Sequence, residues 1–151
     1  MRRRPRGRGL RDARGETLIE FALASTLFFG TLFGIISFSI AVFEYNTVAN
    51  LAREGARYAA VHGSYSGSVA TSATVQTYLR TRSYGMLVTA VITCGTPTGS
   101  LGACQCSAGV CSNDPGNVVQ VRVTQSFTPF TSFIPATSIN LGSTSQMIIA
   151  R

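Results

Sequence analysis

Gly15-Glu16-Thr17-Leu18-Ile19-Glu20-Phe21 begins the stretch that decides the fold, and residues 21–43, FALASTLFFGTLFGIISFSIAVF, complete it. None of the 23 positions from Phe21 to Phe43 is charged. At about 1.5 Å per residue, an α-helix of that length spans roughly 34 Å, enough for a bilayer core of about 30 Å. A buried helix of a soluble protein rarely runs so far without a charge. A secretory signal peptide is the closer rival, and Ser39-Ile40-Ala41 offers small residues for a cut. Its apolar region, however, is usually only about 7–15 residues long, and here the helical pattern continues beyond that site.

The charge lies to one side of this run. The chain has 151 residues and a net charge of +7, of which residues 1–15 hold most: seven arginines against Asp12. Residues 16–151 carry six arginines and five acids. A basic tail of this kind can bind nucleic acid. Because this one runs straight into a hydrophobic segment, positive-inside orientation is the simpler reading. The sequence therefore predicts a single-pass protein of the cell (inner) membrane. Its N-terminus is cytoplasmic, its C-terminal part extracytoplasmic, and nucleic acid is not a partner.

Helical character continues from Glu44 to Val61 without proline. Val48, Leu51, Ala52, Tyr58 and Ala59 recur at three- and four-residue spacing, and His62-Gly63 is a stop signal. The organisation read from this is a basic leader over 1–15 and a long helix over 16–62, about 70 Å in length. Its transmembrane part covers about 21–43, and an extracytoplasmic domain follows over 63–151.

Two patches carry a resemblance. The first is Arg14-Gly15-Glu16-Thr17-Leu18-Ile19-Glu20-Phe21-Ala22-Leu23, and the second is Ala52-Arg53-Glu54-Gly55-Ala56-Arg57-Tyr58-Ala59-Ala60, preceded by Tyr45-Asn46. Together they resemble the TadE-like family of tight-adherence (Flp) pilus proteins, which are pseudopilins. The resemblance implies a minor pilin-like subunit cut between Gly15 and Glu16 by a prepilin peptidase. It implies membrane residence, homo- or hetero-oligomerisation with other pilin-like subunits, and contact with a pilus assembly platform, in adhesion or a surface filament. It also gives Glu20, the fifth mature residue, a neighbouring subunit's new amino group as partner, with Phe21 beside it. One departure stands out: type IV pilins usually begin the mature chain with phenylalanine, and this one would begin with Glu16.

Physical chemistry supports the pattern. Glycine before the cut leaves the backbone open to a protease. An ionisable residue at a membrane helix is costly and is kept where it has a partner; otherwise Glu20 is simply solvated at headgroup level. Gly30 and Gly34, four apart, share a helix face and allow close helix approach, although such spacing is common by chance. Ser25, Thr26, Ser37 and Ser39 offer interhelical hydrogen bonds. Arg53, Glu54 and Arg57 form a solvated face in which Glu54 and Arg57 pair at i, i+3. The sharper alternative is a face that docks a neighbouring subunit, with Ala52, Gly55, Ala56 and Ala59 permitting close packing.

Beyond the helix, residues 63–68 read as a loop and 69–82 as a second helix. Residues 86–93 read as a strand, and 94–117 as a loop rich in Gly, Ser, Cys and Pro. Residues 118–126 alternate, with Val119, Val121 and Val123 on one side and Gln120, Arg122 and Thr124 on the other. Residues 127–137, with Pro129 and Pro135, read as irregular, and 139–150 as one or two strands. The fold class is α+β, pilin-like: a long N-terminal transmembrane and amphipathic helix, then a small disulfide-bonded antiparallel sheet with one short helix.

Cys94, Cys104, Cys106 and Cys111 lack the paired Cys-x2-Cys spacing of zinc sites, so disulfides are expected and metal is not. A bond between Cys104 and Cys106 would be strained. Either Cys94 bonds one of that pair and Cys111 the other, or Cys94 bonds Cys111. His62 sits at a helix end, where a cation suits the dipole. Asp114 is the lone carboxylate beyond residue 60, in the turn Asp114-Pro115-Gly116-Asn117. No nucleophile–base set, phosphate loop or carboxylate pair is legible, so neither enzymatic activity nor a cofactor is expected. The alternative from another class is a signal-anchored or secreted, disulfide-stabilised surface binding module.

Overall fold

A run of helix formers without proline between Glu16 and Val61 gives the chain its first element. In the computed structural model, which describes residues 12–107, 110–129 and 138–150, α1 spans Asp12–Val61 without interruption. It begins before Glu16, so Gly15 lies within the helix and not ahead of it. The chain divides into two units, Met1–Ser39 and Ile40–Arg151.

In the first unit, apolar side chains face outward: Leu18, Phe21, Leu23, Leu27 and Phe38 are each more than two-thirds exposed. Hydroxyls there turn back on their own helix. Thr26, Thr31 and Ser39 donate to the carbonyls of Ala22, Leu27 and Ile35 at 2.8–2.9 Å, and Ser25 donates to Ala22 at 3.0 Å. These bonds satisfy the hydroxyls within the helix itself. Within the single chain, Ser25, Thr26 and Ser39 therefore bond to their own helix. Ser37 Oγ alone is buried there without a partner among the described residues.

In the second unit the end of α1 is amphipathic. Val48, Leu51, Ala52, Ala56, Ala59 and Ala60 are buried at three- and four-residue spacing. They pack with α2, Ser72–Arg80, and a four-stranded antiparallel sheet of order β2-β1-β5-β6. The strands are β1 Thr89–Gly95, β2 Gly102–Ala103, β5 Val118–Phe127 and β6 Ile139–Ile148. A separate ribbon pairs β3, Cys106–Ser107, with β4, Val110–Cys111. The alternation read in β5 holds: Val119, Val121 and Val123 are buried and face the core with Ala90, Ile92 and Cys94 of β1.

Element bounds moved for local reasons. α2 starts at Ser72 because Thr71 caps it. The Thr71 hydroxyl accepts from Thr74 N at 3.2 Å, and Thr74 Oγ1 accepts from Thr71 N at 2.8 Å. This is a capping box with threonine in place of the usual glutamate. Thr71→Ala should lower the urea midpoint of the domain by the equivalent of about 1 kcal/mol, and Thr71→Ser should leave it nearly unchanged. β1 begins three residues later than the expected start and runs on to Gly95, so Cys94 lies in a central strand and is buried. The expected loop over 94–117 holds three short strands. Phe127 belongs to β5; residues 130–137 of the expected irregular stretch lie outside the described residues. The end of the chain is one strand, β6, and Ala150 N then donates to Ala60 O at 2.9 Å, tying it to the end of α1.

Cys94 is bonded to Cys104, and Cys111 is also disulfide-bonded. The register sets Cys106 opposite Cys111. Of the pairings left open by spacing, Cys94–Cys111 is therefore ruled out. The expected turn at 114–117 forms, with Gly116 at φ +90° and Asn117 N donating to Asp114 O at 3.1 Å.

Candidate functional site at the leader junction and the helix

Gly15, Glu16, Glu20 and Phe21 are all exposed on α1. A Cβ built on Gly15 meets nothing within 4 Å. Glycine inside a helix weakens it by about 1 kcal/mol relative to alanine, which makes local unwinding at Gly15 easier. The Glu20 carboxylate has no ion-pair partner among the described residues. It lies over a shallow apolar surface of its own helix, formed with Leu23, Ala24, Leu27, Phe28 and Thr31. A charged group beside uncovered apolar side chains is arranged for an external partner or for the headgroup layer.

Gly30 and Gly34 also have open space where a Cβ would project. Their shared face is free for close approach by another helix. The second small-residue patch has a different occupant. Gly55, Ala52 and Ala56 are buried inside the Ile40–Arg151 unit. A Cβ on Gly55 would sit 3.0 Å from Val121 Cγ1, 3.2 Å from Leu79 Cδ1 and 3.5 Å from Val75 Cγ1. The close packing read from the small residues is real, but the partners are α2 and β5 of the same chain. This corrects the subunit-docking reading for these three positions.

Arg53, Glu54 and Arg57 remain exposed. Glu54 Oε2 pairs with Arg82 Nε at 3.5 Å, not with Arg57. Both side chains are about half exposed, so the pair contributes at most about 1 kcal/mol. Arg82 also lies 4.1 Å above the ring of Tyr78, which stacks on Tyr58, which stacks on His62. This column links α1 to α2 and was not legible in the sequence, because its members lie 24 residues apart along the chain between Tyr58 and Arg82.

The two residues with catalytic chemistry beyond the helix are committed elsewhere. His62 stacks at 4.0 Å on Tyr58, with Nδ1 2.8 Å from Tyr58 O. Asp114 accepts hydrogen bonds from Ser64 Oγ and from Cys111 N. Among the described residues, no three His, Cys, Asp or Glu side chains cluster as metal ligands.

One helix among the described residues is long and apolar enough to cross a membrane, and it lies near the N-terminus. The helix fits a single-pass membrane protein, and a disulfide-bonded α+β domain follows it in the chain. The sequence model of the TadE-like protein family matches residues 15–57. That segment is similar to the family, and it covers most of both patches on which the resemblance rests. No curated protein and no solved structure matches the chain.

Proposed function

We propose that the chain is a minor pilin-like (pseudopilin) subunit of a tight-adherence pilus assembly or secretion system, and not an enzyme. A prepilin peptidase cuts it after Gly15. Its helix then stays in the inner membrane or joins a filament, with the C-terminal domain outside and in contact with other pilin-like subunits or the assembly platform. The observation that carries this reading is the coincidence of the family match, which starts at Gly15, with an exposed Glu20 at the mouth of the uncharged run 21–43.

The test is intact mass and N-terminal sequencing of the full chain expressed with and without a prepilin peptidase. A peptidase-dependent start at Glu16 is expected, and Gly15→Leu should abolish it by blocking backbone access. An uncut chain in both strains sinks the reading. So does a start after Ala41, which would leave a secreted surface binding module.

A further inference from the structure

We propose that a groove in the Ile40–Arg151 unit binds anionic lipid headgroups of the membrane that α1 spans, with Tyr84 as its interfacial anchor. This rests on the membrane span of the proposed function and adds a lipid ligand to it. The groove runs between the exposed side of α1 and the turn after α2, and is lined by Phe43, Asn50, Arg53, Arg57, Arg82 and Tyr84 among others. Phe43 is the last residue of the uncharged run, so one rim of the groove lies where the apolar segment ends.

The charge fits an anion. Three arginines line the groove against one acid, Glu54, which is already paired with Arg82. Arg53 bonds only the neutral Asn50 side chain, at 3.4 Å, and Arg57 has no acidic partner among the described residues. Glu44 does not line the groove. Arg53 is ten residues beyond Phe43, roughly 15 Å along the helix axis. Helical side chains lean toward the N-terminus, which here is the membrane side. Long arginines extend to reach the headgroup layer, and guanidinium binds phosphate through two parallel hydrogen bonds.

Tyr84 supplies an independent argument. It is 88% exposed, and its φ is +52°. A bulky residue rarely adopts that conformation, and strain of this kind concentrates at sites with a function. None of the described residues covers most of the ring that the turn presents. Leu87, three residues on, is 81% exposed. Tyrosine with a neighbouring apolar side chain is the composition of a membrane interface, where the ring is buried and the hydroxyl stays wet.

The chain has no tryptophan, so Tyr84→Trp provides a single emission probe at this position. The full chain is reconstituted in vesicles of phosphatidylcholine alone or with phosphatidylglycerol. Blue-shifted emission and quenching by brominated lipid are expected in the phosphatidylglycerol vesicles only. Adding Arg53→Gln and Arg57→Gln, which spare Arg82 and its column, should raise the phosphatidylglycerol content needed for half the shift by at least about fivefold. Inorganic phosphate added to neutral vesicles should leave the emission unchanged; a shift there means a free-anion site and overturns the lipid assignment. Emission independent of lipid composition, or a shift untouched by the two arginine changes, also overturns it. Failure to float with either vesicle is a separate result, which sinks the membrane span together with this proposal.

Discussion

Gly55→Leu should cost the Ile40–Arg151 unit more than about 3 kcal/mol, beyond the usual range for overpacking. The expected readout is a urea midpoint shifted far down, or no cooperative transition, in the full chain in detergent. The cause is local and severe. A Cβ alone already lies 3.0 Å from Val121 Cγ1 and 3.2 Å from Leu79 Cδ1. Leucine adds three more carbons to a space closed by the central strand and by α2. A small domain has only about 5–15 kcal/mol of net stability, so this loss is a large part of it. Gly55→Ala decides whether the steric account is right. Alanine gains about 1 kcal/mol of helix propensity, and loses a comparable amount unless Val121 and Leu79 yield by a few tenths of an ångström. A midpoint within about 0.5 kcal/mol of the parent is therefore expected for alanine. If leucine were equally benign, α1 would not pack on β5 as the structure has it.

The same glycine shows what the sequence could and could not say. Ala52, Gly55, Ala56 and Ala59 announce close approach by their size and spacing. The approaching surface is set by residues 20 to 70 positions later, Val75, Leu79 and Val121, and no local signal names them. The membrane-length run, the alternation in β5 and the turn at Asp114 were legible because each depends on neighbours within a few residues. The Cys94–Cys104 bond was not, because spacing left several pairings open. What selects it is the extension of β1 to Gly95, which aligns Cys94 with Gly102 across the β1–β2 pair and brings Cys104 alongside. The start of α2 is hard to place from sequence because Thr71 and Thr74 make a capping box without the glutamate that usually marks one. In the sequence Arg82 looks like the end of a helix, and its two contacts, with Glu54 and Tyr78, form only when α2 folds against α1.

Glu20→Gln should abolish assembly while leaving processing and membrane insertion intact. Glutamine keeps the size of the side chain and removes its charge, so insertion of the helix becomes easier, not harder. Cleavage should persist, because the proposed cut lies at Gly15 and the substitution leaves the backbone around it unchanged. Assembly is different. The proposed cut would create an amino group on Glu16, and the exposed Glu20 has no ion-pair partner among the described residues. A charge-assisted hydrogen bond to a neighbouring subunit's amine contributes about 1.5–3 kcal/mol. Its loss weakens each contact on the order of ten- to a hundredfold. Two measurements on the same cells separate the outcomes: the fraction of chain starting at Glu16, and the amount co-purifying with crosslinked pilin-like subunits. Full cleavage with crosslinks at or below a tenth of the parent level is expected. Full cleavage with undiminished crosslinking would mean that Glu20 is solvated at the headgroup level. Subunit recognition would then have to reside elsewhere, with the open Gly30 and Gly34 face as the next position to substitute.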